Sequence, residues 1–288
     1  MGYLLLVGSA IGYAVGIVAQ TVGARRAEQR DRIDPGLLVR LARDPVYLVG
    51  FSGQVVGFGL AFLARATLPL YLVQAGAMSA VGLAAVLGGV LLGWKIRAVE
   101  IGALVVVAAG LLLLVGAAVP APARDLPAAA AWALLGLLVL VAVAAVPAAR
   151  ITGSRGAITL GLLAGVTFAV LAVASRPLAS GPLLELPLQP LFWLMVAAAL
   201  VGQALLAAAL QRGSSTATMA SMDSVSVLLA SVVGLLLLGD QIAAGREPWV
   251  LGGLALVLCG VMVMAAVQPH GAADVRVPDT FEKEATSG

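Results

Sequence analysis

Nine long apolar stretches constrain this chain more than any other feature of its sequence. A helix needs about 20 apolar residues to cross the hydrocarbon core of a bilayer, and each stretch is close to that length. A transmembrane β-barrel would instead show short alternating segments, which the sequence lacks. The sequence therefore predicts an all-α polytopic membrane protein. Its nine predicted spans are residues 2–22, 45–64, 68–92, 98–119, 128–146, 157–174, 190–210, 215–238 and 249–267.

Composition agrees with this class. Hydrophobic residues make up 61% of the chain and charged residues only 11%, whereas a soluble domain carries about 25% charged residues. We therefore expect a multi-pass protein of the cell (inner or plasma) membrane, with the lipid bilayer as its main surroundings. The net charge of +3 follows from the basic loops and predicts no nucleic-acid partner. We expect no cofactor.

Basic residues predict the orientation of the spans. If the N-terminus lies outside and the nine spans alternate, 13 of the 17 Lys and Arg residues fall in segments on the inner side. The outer segments then hold only Arg65, Arg124, Arg176 and Arg246. Cytoplasmic loops generally carry such an excess of basic residues. This favours an N-out, C-in topology with a basic inner loop at residues 23–44. The polar residues 268–288 are predicted to form a disordered cytoplasmic tail.

Weak internal matches predict two repeats. Gly53–Gln54 in the second span corresponds to Gly202–Gln203 in the seventh. The fourth and ninth spans share a glycine spacing, Gly102 with Gly110 and Gly252 with Gly260. We therefore divide the chain into residues 1–118, with four helices, and residues 119–267, with five. With nine alternating spans these repeats are inverted, as is typical of secondary transporters whose substrate site lies at the membrane midplane.

Two segments carry a family resemblance. The stretch "ATLPLYLVQAGAMSAVGLAAVLGGVLLG" and the stretch "SSTATMASMDSVSVLLASVVGLLLLGDQI" each precede a glycine-spaced span. Both resemble the repeat ending of the drug/metabolite transporter superfamily. The nine-span layout is most similar to its NIPA-type and EamA-like branch, and the NIPA resemblance implies Mg²⁺ transport. This chain has Gly53–Gln54 where that branch has Gly-Glu, so a membrane carboxylate is missing.

Asp223 is the main candidate for a site residue. It lies well inside the eighth span, where an acidic residue costs about 2.5–3.5 kcal/mol on insertion and is usually functional. It could exchange a proton, or it could offer one metal ligand to a passing cation. Alternatively it stays protonated and donates to a neighbouring group. At 100° per residue, its helix face also holds Thr216, Ala220, Ser226, Ala230 and Gly234.

Other polar residues in the spans complete the predicted substrate- or ion-binding set, namely Gln20, Gln54, Gln74, Gln203 and Ser226. Each could equally form an interhelical hydrogen bond worth about 0.6 kcal/mol. Small residues at four-residue spacing predict close helix packing at Gly8, Gly12, Gly16, Gly76 and Gly88. Asp240 in "LLGDQ" fits the superfamily's glycine-acid ending, at a span end that we expect to lie near water.

The sequence bears on three classes of function. A secondary transporter of the drug/metabolite type fits best, with Mg²⁺ as the specific substrate that the resemblance implies. A proton-coupled exporter of a small organic molecule is the alternative within that class. An enzyme is not expected, because the single histidine is His270 in the tail and no GxSxG or HExxH motif occurs. A membrane scaffold or accessory subunit remains open, as does a homodimer.

Overall fold

The computed structural model describes residues 1–28, 45–92, 98–212 and 215–267, which are almost entirely helical. A 3-10 helix at Leu183–Leu188 and two short strands, β1 (Ala118–Val119) and β2 (Gln241–Ile242), interrupt the helical order. The α-helices within the described residues are α1 (Gly2–Glu28), α2 (Pro45–Ala64), α3 (Leu70–Met78), α4 (Ala80–Leu92), α5 (Ala98–Ala117), α6 (Ala128–Ala148), α7 (Gly153–Ala179), α8 (Pro190–Leu210), α9 (Ser215–Leu237) and α10 (Glu247–Val267).

These helices match the apolar stretches closely, and the all-α class is confirmed. The predicted ends are wrong mainly at α1, which continues to Glu28, and at α7, which extends the stretch 157–174 in both directions. Hydropathy marks where a chain becomes polar, whereas a helix continues for as long as its backbone hydrogen bonds do. The predicted disordered tail and most of the basic loop, residues 29–44, lie outside the described residues.

Eight helical stretches among the described residues are long and apolar enough to cross a membrane. One of them is α3 and α4 together, Leu70–Leu92, because the helical path continues through Ser79. The Ser79 amide donates to the Ala75 carbonyl at 3.1 Å, and its hydroxyl donates to the Gly76 carbonyl at 2.6 Å. Helix α9 contributes a shorter apolar segment, Ser221–Leu237.

Large apolar side chains cover the outside of the helical bundle. Leu112 on α5 and Leu251 on α10 are more than 70% exposed, as is Val90 on α4. In water, each Å² of such surface would cost about 25 cal/mol, whereas lipid tails are as apolar as these side chains. The protein is therefore embedded in a membrane.

Helix packing follows a repeated pattern. The most extensive contacts join α1 with α2, α5 with α10, α7 with α8, and α7 with α9. If α1 corresponds to α7 and α2 to α8, the first and third of these pairs are equivalent. Under the same correspondence, α3 and α4 together are equivalent to α9, because α1 contacts both of them as α7 contacts α9. Helix α6 packs beside α7 and α8 and has no counterpart among the described helices of the predicted first repeat.

Helices α5 and α10 meet through contacts that are related by a local twofold symmetry. A Cβ atom at Gly110 would lie 2.7 Å from the Gly253 carbonyl oxygen, and one at Gly260 would lie 2.9 Å from that of Ala103. The two backbones can approach this closely because both positions lack a side chain. Corresponding residues are Gly110 with Gly260, Gly253 with Ala103, and Val257 with Val107.

We expect Gly110→Ala to destabilise the protein by about 1–3 kcal/mol, because the added methyl group would overlap backbone atoms of α10. Gly102→Ala on the same helix is the matched control. Nothing lies within 4 Å of a Cβ atom at that position, so alanine should be neutral or stabilise the helix by up to about 1 kcal/mol. Thermal unfolding of the purified variants in detergent measures both. Equal unfolding temperatures would contradict the close contact.

The links that follow α2, α5 and α9 meet at one end of the bundle. The Ala121 amide donates to the Thr67 carbonyl at 2.9 Å, and the Arg124 amide donates to the Leu238 carbonyl at 3.0 Å. Strands β1 and β2 pair antiparallel at the same end. At the opposite end, Arg212 Nη2 donates to the Ala149 carbonyl at 3.2 Å. The links that follow α2, α5 and α9 therefore lie together, and so do those that follow α6 and α8.

Candidate functional site

Four polar side chains are joined by hydrogen bonds in the interior of the bundle. We call Arg65, Gln74, Ser175 and Ser226 the central polar cluster. Arg65 Nη1 donates to Ser175 Oγ, Arg65 Nη2 donates to Gln74 Oε1, and Gln74 Nε2 donates to Ser226 Oγ, each at 3.1 Å. Buried polar groups are normally satisfied in this way. The cluster connects α2, α3, α7 and α9.

Arg65 reaches the interior because of its place in the chain. It follows directly after α2, and the link to α3 is only a few residues long. Its side chain turns inward and leaves only 3% of the residue exposed. The guanidinium carbon lies 5.8 Å from the centre of the Phe58 ring, within the range of a cation–π contact. Burial lowers the pKa of Arg65 below its usual value. The electrostatic interaction with Tyr13 raises this pKa, and the interaction with the positive charge of Arg176 lowers it further.

A second arginine at this end forms a buried ion pair. Arg176 Nη2 lies 2.5 Å from Asp240 Oδ1, and neither side chain is exposed. Arg176 also donates to the backbone carbonyls of Arg65 and Leu68. The other carboxylate oxygen, Asp240 Oδ2, accepts the Leu70 amide at 2.7 Å. The pair therefore connects the end of α7, the link before α3 and the link after α9.

The expectation that Asp240 lies near water is wrong, because the backbone turns it back into the bundle. Gly239 has φ +74°, a left-handed conformation that favours glycine. The turn brings the Asp240 amide to 3.0 Å from the Gly234 carbonyl. A Cβ atom at Gly234 would overlap the Asp240 carboxylate, so glycine is needed at both positions.

Asp223 is partly buried on α9. On the predicted polar face, Ser226, Ala230 and Gly234 are buried. On the other side of the helix, Leu228 is 48% exposed. The predicted face therefore looks inward. The side chains of Thr216 and Ala220 lie outside the described residues.

The remaining predicted site residues divide into three groups. Gln74 and Ser226 are hydrogen-bonded to each other in the central polar cluster. Gln20 and Gln54 are partly buried where α1 crosses α2, and their side chains lie against Gly50 and Gly16. Gln203 is exposed on α8 and does not join the other four.

The glycines predicted to pack closely lie at helix contacts. Gly12 and Gly16 on α1 face backbone atoms of α2, and Gly8 faces a Leu60 side chain. A Cβ atom at Gly76 would lie 2.7 Å from the Leu6 side chain. Gly88 is buried on α4.

A cavity of about 720 Å³ lies at the end of the bundle where Arg176 and Asp240 pair. It opens between α6, α7 and α8, and the central polar cluster does not line it. Its polar and aromatic lining is Asp125, Trp132, Ser180, Gln189 and Trp193. Within the described part of the chain, no three His, Cys, Asp or Glu side chains come together in a metal-binding arrangement.

Comparison of the chain with protein families, with curated proteins and with solved structures gives no match. The geometry of this structure is therefore the basis on which a function can be assigned. Sequence reasoning missed Arg65, Arg176 and Asp240 as interior residues, since it placed all three at span ends or in the links between spans.

Proposed function

We propose that this protein is a secondary transporter of the drug/metabolite type. It moves a small organic solute across the cell membrane through a site between two inverted repeats, with nine crossings, N-out and C-in. The observation that carries this proposal is the central polar cluster. Arg65 and Gln74 come from the predicted first repeat, while Ser175 and Ser226 come from the second. A polar site shared by two repeats is where secondary transporters bind their substrates.

The symmetric contact of α5 with α10 supports the same proposal. The two helices are the last of each predicted repeat, and equivalent residues meet across their interface. Chance similarity between apolar sequences would not make Gly110 and Gly260 occupy equivalent contacts. Two related halves that share a central site can alternately open that site to either side of the membrane.

The geometry favours an organic solute over Mg²⁺. Magnesium prefers hard oxygen ligands in octahedral geometry and gives up its water reluctantly. The position that would supply the branch's membrane carboxylate is Gln54, and the charged member of the cluster is a cation, Arg65. Magnesium transport through Asp223 remains a hypothesis that depends on the resemblance alone.

Labelling of Ser226→Cys tests the transport proposal without any knowledge of the substrate. Cys259 is the single cysteine of the chain, so Cys259→Ser provides a cysteine-free background. A transporter exposes its central site to water on each side in turn. We therefore expect a membrane-impermeant maleimide to label Ser226→Cys both in right-side-out and in inside-out vesicles.

Leu228→Cys is the matched control, since it lies on the same helix at nearly the same depth but on the exposed, lipid-facing side. It should not react with the water-soluble reagent from either side. A scaffold or accessory subunit would keep Ser226 permanently buried. If a variant that is inserted and folded is labelled from neither side, the transporter proposal is wrong.

A further inference from the structure

The charges around the central polar cluster do not balance. Two guanidinium groups, those of Arg65 and Arg176, lie close enough to influence each other electrostatically. The carboxylate of Asp240 pairs with Arg176. The side-chain contacts described for Arg65 are with two neutral polar groups and the Phe58 ring. Among the described residues, no carboxylate forms an ion pair with Arg65, Asp223 on α9 included, so the Arg65 charge has no direct counter-ion.

Arg65 also has unused hydrogen-bonding capacity. Its Nε atom is buried and has no hydrogen-bond partner in the part of the chain that the structure describes. A guanidinium group stays protonated in proteins and presents five N–H donors in a planar fork. The end of α2 supplies roughly half a negative charge through its backbone carbonyls, which offsets only part of the arginine charge.

An isolated charge in an apolar interior is costly unless a partner neutralises it. The neutral partners of Arg65 are a serine hydroxyl and a glutamine amide oxygen, and a stronger acceptor could replace both. Carboxylates bind guanidinium forks through two parallel hydrogen bonds. A monoanion would neutralise the single unpaired positive charge, whereas a phosphate dianion would leave the site with a net negative charge.

We propose that Arg65 binds a carboxylate group of the transported solute, so that the substrate is a small organic carboxylate. This inference depends on the proposed transport function and specifies the chemistry of its site. Gln74 and Ser175 hold the guanidinium in place while the site is empty. The solute then supplies the counter-ion that the chain itself lacks at this position.

Selectivity of uptake provides the first test. Liposomes containing the purified protein are incubated with an equimolar mixture of monocarboxylates, phosphate monoesters, primary amines and uncharged sugars. Mass spectrometry then measures the solutes inside. We expect carboxylates to enter at least about tenfold faster than the other classes, since a charged hydrogen bond contributes that much selectivity or more. Preferential entry of amines, sugars or phosphate esters would overturn the proposal.

Gln74→Glu separates a binding role for Arg65 from a structural one. The glutamate would place a carboxylate 3.1 Å from the guanidinium, in the position of the present amide oxygen. We expect this variant to unfold at a higher temperature, because the buried charge is neutralised, and to lose carboxylate uptake at least about tenfold. If Arg65 only stabilises the fold, Gln74→Glu should instead transport normally.

Arg65→Gln should likewise abolish uptake, with Arg246→Gln as the control, since Arg246 is an exposed arginine at the same end of the bundle. The labelling of Ser226→Cys distinguishes this inference from the proposed function. If that cysteine is labelled from both sides while no carboxylate in the mixture enters, the transporter proposal stands and the carboxylate assignment fails. If that cysteine is labelled from neither side, the transporter proposal fails, and with it the carboxylate assignment that depends on it.

Discussion

Asp240→Asn is expected to be the most destabilising of the substitutions considered, lowering the free energy of unfolding by about 3–5 kcal/mol. The asparagine has nearly the same shape but leaves the Arg176 charge buried without its counter-ion. It also weakens the acceptor for the Leu70 amide, which now lies 2.7 Å from the carboxylate. Because the pair connects three segments at one end of the bundle, we expect that end to open first. Thermal and denaturant unfolding in detergent measure the loss.

Two further variants isolate the charge effect. Asp125→Asn makes the same chemical change at an exposed aspartate of the same end and should be nearly neutral. Combining Asp240→Asn with Arg176→Met removes both charges, so the double variant should recover part of the stability that the single variant loses. If Asp240→Asn and Asp125→Asn unfold alike, the ion pair contributes nothing to stability.

Hydropathy predicted the helices well because each apolar stretch must be long enough to cross a bilayer, whatever its neighbours are. The inward face of α9 was also predictable, since Asp223, Ser226 and Ala230 recur at helical spacing. Periodicity within one helix depends on local geometry alone. It therefore indicated that Ser226 faces the interior before any contact was known.

Contacts between distant segments were not predictable from the sequence. Arg65 and Arg176 entered the topology argument only as basic residues in outer links, and a count of charges cannot show which way a side chain points. Their partners, Ser175 and Asp240, lie far away in sequence. One signal was available: the link after α2 is so short that a residue within it cannot move far from the bundle.

Gln203 illustrates the opposite error. It was grouped with the site as a polar residue within a span, and it also matched Gln54 between the repeats, yet it is exposed on α8. A match between repeats fixes the height of a residue along its helix more reliably than it fixes the direction of the side chain. Rotation of one helix by a fraction of a turn moves a side chain from the interior to the lipid.

The second large effect concerns Asp223, a carboxylate that raises the free energy of inserting its helix into the membrane. Asparagine at this position should insert more easily, because an acidic residue at that depth costs about 2.5–3.5 kcal/mol on insertion scales. We therefore expect Asp223→Asn to be at least as stable as the wild type. An acidic residue that makes insertion more costly and lies one helical turn from Ser226, on the same inward face, is more readily explained by function than by packing.

If Asp223 carries the coupling proton, Asp223→Asn should exchange solute across the membrane but fail to concentrate it. An amide cannot take up and release a proton, so proton movement down an imposed pH gradient would no longer be coupled to movement of the solute. The measurement compares carboxylate accumulation under a pH gradient with exchange at equal pH, in liposomes containing either protein. Accumulation should fall at least about tenfold, a loss equivalent to about 1.4 kcal/mol of driving force, while exchange persists.

Asp125→Asn again serves as the control, because it changes an exposed aspartate outside the spans. Accumulation by Asp223→Asn at the wild-type level would show that this carboxylate does not couple transport to protons.

The same liposomes, loaded with a magnesium-sensitive dye, test the hypothesis drawn from the family resemblance. Mg²⁺ entry in the wild type that disappears in Asp223→Asn would assign the carboxylate to a cation pathway. It would also contradict the positive charge of Arg65 as the basis of selectivity, because a buried cation repels Mg²⁺ at short range.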